Sequence, residues 1–147
     1  MAKAIYFDMD GTIANFYGVE NWLEDLTNSN PRPYAQARPL VNMNVLARRL
    51  NRLQKMGYKI GIVSWLAKNS NPDFDSAVTT EKIKWLKTHL HSVKFDDIKI
   101  VPYGTPKSEV VEYGNGILFD DEEPNRKNWK GVAYDESKIM EVLGAVA

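Results

Sequence analysis

Two carboxylates separated by one residue, Asp8 and Asp10, close an apolar run and stand just before a glycine in the stretch Ile5-Tyr6-Phe7-Asp8-Met9-Asp10-Gly11-Thr12. A strand that stops this way carries two negative groups to its C-terminal end, where open α/β sheets bind ligands. Three further apolar runs stop comparably: at Ser64, close to Lys107, and at Asp120-Asp121. Gathered in one crevice, these carboxylates would repel one another unless a cation lay among them. An oxygen-only donor set suits a hard ion, and Mg²⁺ fits best. Lys107 offers one positive charge and Ser64 one hydroxyl, both suited to phosphoryl oxygens. A carboxylate can attack phosphorus and form an acyl-phosphate. A second carboxylate two residues on can protonate the leaving oxygen and later take a proton from water.

Each group has a plainer explanation when taken alone. Asp-Met-Asp-Gly could be a turn, although a calcium loop fails because Gly11 comes too early and no Glu closes it. Asp120-Asp121-Glu122-Glu123 could be a solvated acidic turn, Ser64 a strand terminator and Lys107 an exposed helix-start residue. Four suitable groups at four successive strand ends favour the chemical reading over these four separate ones.

The elements that must position them alternate. Strands are expected over residues 4–8, 58–63, 97–101, 116–119 and 131–134. The apolar positions Val45, Leu46, Leu50, Leu53 and Met56 recur at helical spacing within 40–56, and Gly57 stops that helix. A second helix is expected over about 76–90, with Ala77, Ile83, Trp85, Leu86 and Leu90 inward, and others over 106–113 and 136–146. Strands alternating with helices imply a parallel sheet with right-handed crossovers. Residues 12–39 break the pattern, with several Asn and Pro and with Phe16, Tyr17 and Trp22 interspersed. Such length exceeds what a connection needs and suits a lid or binding loop, with at most a short helix near 19–26.

Composition sets the remaining bounds. The 147 residues are 44% hydrophobic and 26% charged, which suits one folded domain over 1–147. Nineteen basic residues balance nineteen acidic ones, so nothing draws the chain generally to nucleic acid or anionic membranes. The absence of cysteine excludes disulfides, thiolate catalysis and zinc–thiolate sites. No apolar run approaches the ~20 residues that span a bilayer, and a soluble, cytoplasmic protein is expected. His89 and His91 read as surface residues.

Together the segments Phe7-Asp8-Met9-Asp10-Gly11-Thr12, Ile62-Val63-Ser64, Thr105-Pro106-Lys107-Ser108 and Leu118-Phe119-Asp120-Asp121 closely resemble the haloacid-dehalogenase superfamily of phosphohydrolases. The resemblance implies a Rossmann-like α/β fold of three layers with a parallel sheet and a small cap-like insert, here at about 13–39. It implies Asp8 as nucleophile and Asp10 as general acid/base. Ser64 and Lys107 would hold the phosphoryl group. Mg²⁺ would be bound by Asp8, the Asp10 backbone carbonyl and Asp120, with Asp121 assisting. Within the superfamily the segments through Tyr17, at Lys82-Ile83-Lys84-Trp85-Leu86, and at Asn125 and Gly131 are similar to the 5'(3')-deoxyribonucleotidase-like branch. The excursion at 12–39 is shorter than that branch's helical cap, and Ser64-Trp65 replaces its usual Thr-Ser-type dipeptide.

The expectation is therefore a Mg²⁺-dependent phosphomonoesterase, with a nucleoside monophosphate as the first substrate. Nucleic-acid ends, sugar phosphates and a non-catalytic phosphate-binding protein are the alternatives. Trp65 would follow the phosphoryl site and line the crevice mouth, or else pack into the core; Phe16, Tyr17 and Trp22 would face it, or form a small core of their own.

Overall fold

A computed structural model of the chain describes residues 3–146. The first strand, β1 (Ala4–Phe7), is buried along its whole length, as a central strand must be when both faces are covered. The chain then makes an excursion through β2 (Ala14–Asn15), α1 (Trp22–Thr27), α2 (Arg32–Gln36) and β3 (Arg38–Pro39), with β2 and β3 paired antiparallel at its base. The regular alternation follows: α3 (Met43–Lys55), β4 (Lys59–Trp65), α4 (Pro72–His89), β5 (Asp97–Val101), α5 (Lys107–Val110), β6 (Ile117–Phe119), α6 (Glu123–Asn128), β7 (Val132–Tyr134) and α7 (Ile139–Val146).

The main sheet is parallel throughout, in the order β5-β4-β1-β6-β7. From β1 the chain steps outward through β4 to β5, then crosses back to β6 on the other side of β1. The order therefore reverses between β1 and β6, which opens a crevice at their C-terminal ends. Asp8 and Asp120 are the residues directly after those two strands.

Side-chain alternation along the strands divides the interior into layers. Ile5, Phe7, Ile60, Ile62 and Phe119 pack against Leu46, Leu50 and Leu53 of α3, Trp85 and Leu86 of α4, and Ile139 and Leu143 of α7. Burying each of the three α3 leucines contributes about 1.5–3 kcal/mol. Ala4, Tyr6, Val63 and Leu118 face the opposite way, onto Trp129 and the segment around Val110, Val111 and Tyr113. Fold class and sheet are thus as expected: a three-layer, Rossmann-like α/β architecture. Among the described residues, no helix is long and apolar enough to cross a membrane.

Several boundaries differ from expectation for identifiable reasons. Helix α4 begins at Pro72 rather than near 76, because the Asn71 side chain accepts the Phe74 N–H at 2.9 Å and Pro72 suits the first turn. Its buried stripe runs through Phe74, Val78, Lys82, Trp85 and Leu86, leaving Ala77 and Ile83 only partly covered. The helix expected over 106–113 lasts one turn. Beyond it the Glu112 N–H donates to Asp97 Oδ2 at 3.0 Å and the Tyr113 N–H to Tyr6 Oη at 3.3 Å, which draws the backbone out of the helix. Helices α2 and α6 were not expected; each has a proline in its first turn, a position where proline is helix-compatible. His91 is exposed, whereas His89 is half-buried with its ring 4.5 Å from that of Trp85.

Candidate active site

The loop after β1 is wound tightly around one carbonyl: Met9 O accepts the N–H groups of Thr12, Ile13 and Ala14 at 3.0–3.1 Å. The turn requires φ +81° at Gly11, a conformation that glycine adopts without strain. A Cβ there would also overlap the Asp121 carboxylate. Glycine thus lets the β1 loop press against the end of β6. Thr12, fully buried, clasps the two: its hydroxyl lies 3.1 Å from Asp8 Oδ2 and 3.3 Å from Asp121 Oδ1, and it accepts the Asp121 N–H at 3.1 Å.

Carboxylate oxygens of Asp8, Asp120 and Asp121 come within 4.8 Å of one another. Lys107, held by the single turn of α5, inserts its ammonium between two of them, 3.1 Å from Asp8 Oδ1 and 2.6 Å from Asp120 Oδ2. The other Asp120 oxygen accepts the Glu122 N–H at 2.9 Å. Burial disfavours the charge on Lys107, but Asp8 and Asp120 outweigh it and the lysine is held protonated. Burial, together with the Asp8 charge, pushes the Asp120 carboxyl up to about 6 and that of Asp121 up to about 8.

Asp10 lies apart from the three-carboxylate cluster. Its carboxylate is turned to the ammonium of Lys82, at 3.0 Å, and burial raises its proton affinity despite that lysine. A carboxyl whose proton affinity is raised is better suited to giving a proton to a leaving group than a free one.

Ser64 ends the buried stretch of β4 but is fully enclosed, and its hydroxyl accepts from Lys82 at 2.7 Å. It does not reach the crevice wall. Trp65 does: its indole N–H donates to Thr105 O at 2.8 Å, its ring packs 4.9 Å from that of Tyr103, and the Lys107 ammonium sits 5.5 Å from the ring centroid. Asp8, Asp10, Lys107 and Asp121 form the floor of a cavity of about 440 Å³. Phe16, Tyr17, Trp22 and Tyr34 from the excursion and Trp65 and Tyr103 from the sheet side supply aromatic walls. Phe16 is also the centre of a small core with Tyr34, Leu66, Phe74 and Val78, so both expectations for the excursion's aromatics apply to it.

The described residues fit a divalent hard ion on their own chemistry. Around the floor, four carboxylates (Asp8, Asp10, Asp120 and Asp121) face two ammonium groups (Lys82 and Lys107), leaving two negative charges once all are ionised. The three clustered groups offer only oxygen donors, as Mg²⁺ prefers. Gly11→Ala would drive a methyl group into one of them and is expected to weaken Mg²⁺ binding about 10- to 100-fold. Isothermal titration checks this, and unchanged affinity would remove Asp121 from the ion's surroundings.

Lys82 and Thr12 are the residues whose parts in the site sequence reasoning missed. Thr12 belongs to the stretch that carries the resemblance, but nothing in its type announced a clasp. Lys82 left a readable signal: it falls on the inward stripe of α4, four residues after Val78. A charge on a buried helix face needs partners.

No protein-family model matches the chain, and no curated protein sequence matches it. Solved structures do. One similar structure is a D,D-heptose 1,7-bisphosphate phosphatase from Burkholderia thailandensis, with TM-score 0.52 and 16% identity over 85% of this chain and 70% of that one. Another is the D,D-heptose 1,7-bisphosphate phosphatase of B. bronchiseptica complexed with magnesium and phosphate, with TM-score 0.55 and 13% identity over 89% of this chain and 78% of that one. The chain shares their fold.

Proposed function

We propose that the protein is a Mg²⁺-dependent phosphomonoesterase of the haloacid-dehalogenase type, acting through an aspartyl-phosphate on Asp8. The observation that carries this reading is the convergence of Asp8, Asp120, Asp121 and Lys107 at the switch point of the sheet, with Asp10 beside them. The shared fold with phosphatases, one of them complexed with magnesium and phosphate, supports it.

In this account Asp8 Oδ attacks phosphorus and the ester P–O bond breaks. The Asp10 carboxyl gives its proton to the departing oxygen. Water then attacks the phosphorus of the aspartyl-phosphate while Asp10 takes its proton, releasing phosphate and restoring the Asp8 carboxylate. Lys107 meets the charge on the phosphoryl oxygens, and Ser64 acts from behind the wall through Lys82. Asp8, Asp120 and Asp121, with the main-chain carbonyl of Asp10, would hold Mg²⁺, which when bound offsets negative charge on the phosphoryl group and the carboxylates.

The aromatic walls favour a substrate with a flat face, and a nucleoside monophosphate fits that chemistry. Base–aromatic stacking is worth about 1–3 kcal/mol. Trp65→Ala should therefore raise KM for a nucleoside monophosphate by about 5- to 150-fold and change that for a small aryl phosphate much less, with Trp65→Phe intermediate. Equal losses on both substrates would remove stacking from the account. Sugar phosphates are the second reading, favoured by the substrate named for the structural neighbours. Steady-state kinetics on nucleoside monophosphates, sugar phosphates and phosphorylated oligonucleotides separates the classes. A kcat/KM higher for sugar phosphates than for any nucleotide would overturn the nucleotide assignment.

A further inference from the structure

Lys82 is only 1% exposed, deep in the helix α4 face that packs on the end of β4. An ammonium group has three N–H donors and no acceptor. Here all three have a partner: Ser64 Oγ at 2.7 Å, the Trp65 carbonyl at 2.8 Å and Asp10 Oδ2 at 3.0 Å. The ring of Tyr34, from the excursion, lies 5.2 Å from the same nitrogen. Lys82 itself is not on the cavity wall, whereas Asp10 is.

From this geometry we infer that Lys82 is the positioning residue of the general acid/base: held by Ser64 Oγ and the Trp65 carbonyl, it fixes the Asp10 carboxylate in the orientation that meets the leaving oxygen. The assignment rests on the phosphomonoesterase reading for its kinetic consequence, but not for its structural one. Two fixed acceptors from β4 aim the ammonium, and the third hydrogen bond aims the carboxylate. Without Lys82, Asp10 would have no cation on this side and would be free to turn toward Lys107 and the carboxylate cluster. Ser64 gains a role that explains its burial: as an acceptor it anchors the lysine, at a position where an alanine would leave one N–H without a partner.

Asp10 serves both halves of the reaction, and the two halves can be read separately. An alkyl phosphate needs a proton on its leaving oxygen, whereas p-nitrophenolate departs without one. Lys82→Met should therefore lower kcat/KM about 100-fold or more for an alkyl phosphate. For p-nitrophenyl phosphate kcat/KM should change by less than about 5-fold, because that parameter reports phosphoryl transfer to Asp8. There kcat and KM should fall together, since water attack on the aspartyl-phosphate still needs Asp10. In an Asp10→Asn background, Lys82→Met should add little further loss on either ester. Equal losses of kcat/KM on both esters, or full multiplication of the two substitutions, would overturn the assignment. Should Lys82→Met fail to fold, Lys82→Arg keeps the charge but not the geometry, and the same excess loss on the alkyl ester is expected. Crystal structures of wild type and variant give a reading independent of turnover. The Asp10 carboxylate should leave the place it holds in the wild type, 3.0 Å from the Lys82 ammonium, and an unmoved carboxylate would refute positioning by Lys82. Wild type inactive on both esters would instead count against the phosphomonoesterase reading, with the crystallographic comparison still deciding Lys82.

Discussion

Asp8→Asn is expected to lower kcat by at least about 10⁴-fold on every phosphomonoester tested, since the amide that replaces the carboxylate is a far poorer nucleophile. The substitution changes little else. Asparagine has nearly the same shape, its carbonyl oxygen can still accept from Thr12 or Lys107, and Lys107 keeps its 2.6 Å contact with Asp120. Removing one of three clustered carboxylates relieves repulsion in the metal-free protein, so its melting temperature should be equal to or above that of wild type. Circular dichroism confirms the fold, and stopped assays of phosphate release measure turnover. Turnover near the wild-type rate in a folded Asp8→Asn protein would eliminate the covalent route.

The second large effect comes from removing the metal, and its pH dependence has a definite sign. EDTA should reduce hydrolysis to background and Mg²⁺ should restore it. In the metal-free protein the Asp120 and Asp121 carboxyls are raised to about 6 and about 8, by burial and by Asp8. The unfolded chain holds such protons with a pKa of about 3.9. Between those values the folded state binds more protons than the unfolded one, so this contribution to stability is present at low pH and is lost as pH rises through the raised values. Mg²⁺ must displace the same protons, and its affinity should strengthen over that range. The metal-free melting temperature should therefore fall between about pH 5 and pH 8.5, while the increment added by Mg²⁺ grows. Asp121→Asn should flatten the metal-free slope. A Mg²⁺ increment that shrinks with rising pH would place the ion somewhere other than these carboxylates.

How much could be read from the chain depended on whether a signal was local. Strand β5 lies where the apolar run at 97–101 suggests, and α3 is announced by Leu46, Leu50 and Leu53 at helical spacing. The meeting of Asp8 with Asp120 was legible because each directly follows an apolar run, and parallel strands present such residues at one edge. Side-chain hydrogen bonds made the boundaries of α4 and α5 hard to see: Asn71 starts one helix early, while Asp97 and Tyr6 end the other. Distinguishing a Ser64 that faces the crevice from one that faces α4 requires knowing that Lys82 lies above it. That contact spans 18 residues and two elements. Helix α2 hides behind Pro31 and Pro33, which read as a turn in one dimension and serve as a helix start in three.

Chemical trapping tests the covalent route most directly. The protein is mixed with Mg²⁺ and p-nitrophenyl phosphate, and the steady-state mixture is quenched into borohydride, which reduces an acyl-phosphate to the alcohol. Peptide mass spectrometry then locates the product. The account predicts homoserine at position 8, dependent on Mg²⁺ and on substrate, and absent from Asp8→Asn. Reduction at another residue, or none in a sample that is turning over with accumulated intermediate, would contradict it.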